Sequence, residues 1–79
     1  MEIKTTAYFT NEVLRKRPYI NIDWCKKIVD NPTKTEKQPD GRIRHWGYVP
    51  EFGTRALRVI TLSDGVTLHN AFPDRDFKR

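Results

Sequence analysis

The stretch RALRVITLSDGVTLHNAFPDRDFKR, Arg55 to Arg79, decides the fold, because it reads as a β-hairpin followed by a charged tail. Leu57 to Leu62 is rich in β-branched and apolar residues with a single charge at Arg58, Asp64-Gly65 matches the φ > 0 pair of a type I′ turn, and Val66 to Phe72 runs back. A two-residue loop there sets Ile60 opposite His69, Val59 opposite Asn70 and Arg58 opposite Ala71. Leu57, Val59, Leu68 and Phe72 then share the expected core face with Thr61 and Asn70. Arg58, Ile60 and His69 share the other face with Leu62, Thr67 and Ala71, which brings an arginine and an imidazole near one another on the diagonal.

Seventy-nine residues suffice for one domain with a modest core, so any site is expected at or near the surface. The net charge of +5 and pI near 9.7 favour an anionic partner, with nucleic acid the first expectation. A single cysteine, Cys25, excludes an intramolecular disulfide. With no signal peptide or long apolar run, the expectation is a soluble, cytoplasmic protein without membrane attachment.

Upstream of the hairpin, Met1 to Ala7 reads equally as a short edge strand or a lead-in. Thr6 or Thr10 can cap a first helix through Arg17, where Pro18 enforces the stop and Arg15, Lys16 and Arg17 complement the helix dipole or bind phosphate. Asn21 or Asp23 can cap a second helix through Asp30, with Trp24, Cys25, Ile28 and Val29 as its apolar stripe. Beyond Asn31-Pro32 the period changes. Thr33 to Gln38, a turn at Asp40-Gly41 and Arg42 to Val49 read as a second hairpin, in which Lys37 faces Arg44 and Thr35 faces Trp46. Pro50 to Gly53 reverses the chain into the Arg55 strand. The expected fold is therefore α+β: two N-terminal helices packed on one face of a four-stranded antiparallel meander, with the other face partly wet.

There is no P-loop, dinucleotide fingerprint or nucleophile elbow, and no cofactor is expected. Cys25, His45 and His69 are spread over three elements without the close ligand pairs of a zinc site, so no metal is expected either. His69 beside Arg58 could exchange a proton at a ribose hydroxyl while the arginine neutralises phosphate. The plainer reading is a half-buried histidine bonded to the backbone, with Arg58 paired to Asp74 or Asp76. In the run Arg42 to Tyr48, the side chains of Arg44, Trp46 and Tyr48 point one way, either as a base-stacking strip or with Trp46 in the core. The closing Asp74 to Arg79 reads as a solvated, self-paired tail, except that Arg75 follows closely enough to reach back over the open face.

The order of elements resembles the small bacterial ribonuclease-toxin fold of the RelE, BrnT and colicin-nuclease groups. Arg42-Ile-Arg-His-Trp-Gly-Tyr48, Leu57-Arg-Val59, Asp64-Gly65, His69-Asn-Ala-Phe72 and Asp74-Arg75 are similar to short uncharacterised bacterial proteins, cyanobacterial ones among them, near the BrnT-like toxins. The resemblance spans about Phe9 to Lys78 and implies a metal-independent endoribonuclease toxin with an antitoxin partner. His69 and Tyr48 would be its acid-base groups, with Arg58 and Arg75 also catalytic. Arg44, Trp46, Arg17 and Lys16 would bind RNA. The alternative is a non-catalytic basic module that binds RNA or a protein through the same face.

Overall fold

The computed structural model describes residues 3–53 and 55–77. It is α+β, with two helices preceding a four-stranded antiparallel sheet of order β1-β2-β3-β4: Lys34–Lys37, Ile43–Gly47, Ala56–Thr61 and Leu68–Asp74. No helix among these residues is long and apolar enough to cross a membrane.

Helix α1 begins as a π-helical turn, Phe9–Val13, and continues as an α-helical turn, Leu14–Lys16. Its cap is Thr6 rather than Thr10: the Phe9 amide donates to Thr6 Oγ1 at 3.1 Å. The widened turn lets both Phe9 and Val13 bury completely, at 0% and 1% exposure. Helix α2, Ile22–Asp30, is capped by Asn21, whose side chain accepts the Asp23 amide. Cys25 and Ile28 are the buried positions of its stripe, while Trp24 and Val29 pack at the margin. The lead-in is structural. Leu68 N donates to Lys4 O and Thr6 N donates to Leu68 O, so this segment runs parallel beside the start of β4. Met1 and Glu2 lie outside the described residues, as do Lys78 and Arg79 at the end of the tail.

Both hairpin loops are longer than the expected two-residue turns, for one shared reason. Each Asp-Gly pair supplies only one left-handed residue, Gly41 (φ 93°) and Gly65 (φ 74°), and no non-glycine among the described residues has positive φ. A type I′ turn needs two. The aspartates instead use their carboxylates: Asp40 accepts the Arg42 amide, and Asp64 accepts those of Val66 and Thr67. The first loop is therefore three residues long, closed by Gln38 N to Arg42 O. Lys34 faces Trp46 and Glu36 faces Arg44, not Thr35 and Lys37.

In the second hairpin Thr61 faces Leu68 as expected, but a bulge between Ile60 and Thr61 shifts all later pairs by one. Ile60 then faces Asn70, Val59 faces Ala71 and Arg58 faces Phe72. Ala71, at 0% exposure, takes the core position expected for Phe72, which turns to the opposite face. The core between helices and sheet comprises Phe9, Val13, Ile20, Cys25, Ile28, Val49, Leu57, Val59, Leu68 and Ala71. At Gly47 of β2 an added Cβ would lie 2.9 Å from Ile28 of α2, which marks this as the helix-covered face.

Candidate nucleic-acid interface

Since Gly47 faces α2, alternation turns its neighbours Trp46 and Tyr48 to the other face of the sheet. The observed registers then place Lys34, Trp46, Arg58 and Phe72 in one row across all four strands. Cations and rings alternate along it. The Lys34 ammonium lies 5.7 Å from the Trp46 ring centroid, and the Arg58 guanidinium 5.3 Å from Trp46 and 4.9 Å from Phe72. Arg17, at the end of α1, extends the row at 5.9 Å from Phe72.

One carboxylate ties this row together. Asp74 Oδ2 accepts Trp46 Nε1 at 2.9 Å, Arg58 Nε at 3.1 Å and Arg58 Nη2 at 2.5 Å. The Asp74 side chain is only 10% exposed. The Trp46 hydrogen bond, followed by the bonds and charge of Arg58, holds its carboxyl below the ordinary range against the opposing effect of burial. So the first residue of the charged tail is an anchor, where a solvated end was expected. The chain then turns, with Asp76 N donating to Asp74 Oδ1, and Phe77 lies flat on Trp46 at 5.3 Å between centroids and 8° between planes. Tyr48 meets Phe77 at 6.2 Å in a tilted contact.

Trp46 is consequently 5% exposed although no helix covers it, a third arrangement beside the two read from the sequence. Arg44 is bound to Glu36, Nη1 to Oε1 at 2.5 Å. Lys16 is exposed at the end of α1, and Arg75 is exposed in the turn between Asp74 and Phe77.

His69 belongs to a different cluster. The bulge makes Asn70 and Asp74, rather than His69, the diagonal neighbours of Arg58. His69 Nδ1 is hydrogen-bonded to Thr6 Oγ1 at 3.0 Å, and its ring meets Tyr8 at 5.1 Å, tilted by 31°. Partial burial, then the charge of Arg42, lower its pKa, while Asp40 opposes them. The expected Arg58 and His69 pairing is thereby replaced by two separate groups. His45, on the core face, has Nε2 hydrogen-bonded to Thr61 Oγ1 at 3.0 Å, and burial lowers its pKa.

Lys34, Phe77 and Tyr8 were not singled out from the sequence, and Thr6 and Phe72 were read only as a helix cap and a core-face residue. Phe77 had a signal, being the one apolar side chain in the run Asp74 to Arg79. Lys34 had none without the correct register. No family model, no curated protein and no solved structure matches the chain.

Proposed function

We propose that the protein is a non-catalytic module that binds single-stranded RNA across the open sheet face. The observation that carries this reading is the alternating row of Lys34, Trp46, Arg58, Phe72 and Arg17. Rings flanked by cations suit a strand of unpaired bases, with phosphates meeting the charges and bases meeting the π faces. Binding is favoured over cleavage because Asp74 already engages Arg58, so its charge is committed before any phosphate arrives. Arg17 and Lys34, at the two ends of the row, supply the outer contacts.

A labelled single-stranded RNA should bind in an anisotropy titration, and affinity should fall as salt rises, with a log–log slope of roughly −0.7 per phosphate engaged. Lys34→Ala and Arg17→Ala should each weaken binding and flatten that slope. Equal affinity at low and high salt would sink the proposal.

A metal-independent endoribonuclease of the RelE and BrnT toxin kind, cytoplasmic and restrained by an antitoxin, is the second reading. The observation favouring it is His69, held by Thr6 and faced by Tyr8, as an acid-base histidine needs to be held. Incubation with a long unstructured RNA in EDTA separates the two. Intact RNA supports binding alone, whereas discrete fragments abolished by His69→Gln would establish the nuclease.

A further inference from the structure

We infer that the face of Trp46 covered by Phe77 is a nucleobase position, and that an unpaired purine base of single-stranded RNA takes it by displacing Phe77. This rests on the RNA-binding reading above and specifies where a base would go.

The geometry points there for three reasons. First, the Phe77 ring lies within 8° of parallel to Trp46, which is how a base stacks on an indole. It stands in the place a base would fill. Second, the rest of the site is built independently of Phe77. The indole N–H is held by Asp74, Arg58 lies over the ring from β3, and Lys34 lies over it from β1. Removing Phe77 therefore uncovers an oriented platform with a cation beside it. Third, Phe77 follows a turn outside the sheet ladder, and its ring contacts are with Trp46 and Tyr48. The turn is fixed at one end by the Asp76 amide on Asp74. Phe77 can thus leave while Asp74 keeps its bonds to Trp46 and Arg58.

A purine matches the bicyclic indole better than a phenyl ring does, and it brings a phosphate to Lys34. Exchange replaces one stack by a larger one and adds a charge contact. Because Phe77 is tethered beside Trp46, it competes with every incoming base and holds affinity down.

The test titrates a fluorescein-labelled ten-nucleotide oligoadenylate against the wild-type chain, Phe77→Ala and Phe77→Leu. Phe77→Ala should bind more tightly by roughly 3- to 10-fold, the factor one aromatic pair is worth, with Phe77→Leu in between. In the wild type, nuclear Overhauser contacts between the Phe77 and Trp46 rings should disappear as oligoadenylate is added. Equal affinity of all three proteins overturns the inference and leaves RNA binding standing. Weaker binding by both variants also overturns it, since Phe77 would then be part of the platform. Binding by none of them overturns both readings. Phe77→Leu keeps an apolar cover on Trp46, so a folding defect in the alanine variant does not remove the readout.

Discussion

Trp46 and Arg58 donate to the same oxygen: Asp74 Oδ2 takes the indole N–H at 2.9 Å and the guanidinium Nη2 at 2.5 Å. The two side chains face each other across β2 and β3, so the carboxylate fixes the ring and the cation against one another. The open face thereby gains a small polar core of its own.

Asp74→Asn should test that core. It leaves a part-buried guanidinium without its counter-charge, and the expected loss is about 1–3 kcal/mol in urea unfolding at neutral pH. A depressed carboxyl pKa stabilises the fold above its ordinary value of 3.8, and that contribution disappears as pH falls through the lower folded value. Asp64 behaves alike, its pKa drawn to about 2 chiefly by the Thr67 hydroxyl. The wild type should therefore lose stability on acidification below about pH 4, and Asp74→Asn should lose less over the same range. Parallel acid profiles would remove Asp74 from the account.

His45 should produce a separate limb nearer neutrality. Its ring is 5% exposed, and its Nδ1 is buried without a hydrogen-bond partner among the described residues. Burial lowers its folded pKa below 6.5, so the unfolded chain takes up a proton first. Stability should be full above pH 6.5 and decline as pH falls from there toward the folded value. His69, shifted in the same direction, adds to this limb. Melting temperatures of His45→Gln between pH 7.5 and 5.5 should fall less steeply than those of the wild type.

Gly47→Ala addresses the helix-covered face. The new Cβ would lie 2.9 Å from Ile28 Cγ1 and 3.1 Å from Cγ2, forcing α2 away from the sheet. Overpacking of this kind costs about 1–3 kcal/mol. Ile28→Ala should relieve part of that cost, so in the double-mutant cycle the pair should be less destabilised than the sum of the single changes. Simple additivity would show that the contact does not govern the position.

Cys25 should be chemically silent in the native protein. Burial pushes its thiol up to about 12, far from the thiolate needed for attack. Ellman's reagent should react with it promptly in denaturant and at least about 100-fold more slowly without, and equal rates would show that α2 opens freely.

Much of the fold was legible because its signals are local. Pro18, Asn21, Asn31-Pro32 and the two Asp-Gly pairs mark the element boundaries by steric and hydrogen-bonding rules that act within a few residues. The registers were not legible because the first shifts with its loop and the second at the bulge beside Ile60, and periodicity marks neither. Asp40 and Asp64 satisfy nearby amides through their side chains and stay out of the left-handed region, which lengthens each loop. Arg58 and Asp74 could be paired as a plain alternative to catalysis, but Trp46 as the third partner depends on strands far apart in sequence. Phe77 over Trp46 is likewise a long-range contact that periodicity does not encode.

The bulge beside Ile60 also bears on which genetic changes the chain can survive. In an unbulged ladder of the same length, Phe72 and Asp74 would turn toward the helices and Ala71 outward, placing a carboxylate against the core. His69 is the residue skipped between the pairs Thr61–Leu68 and Ile60–Asn70, so deletion of its codon leaves Asn70, Ala71 and Phe72 opposite the same partners in an unbroken ladder. An inserted codon instead enlarges the bulge or inverts every position after it on β4. The gene should therefore tolerate loss of a codon at this point far better than gain of one.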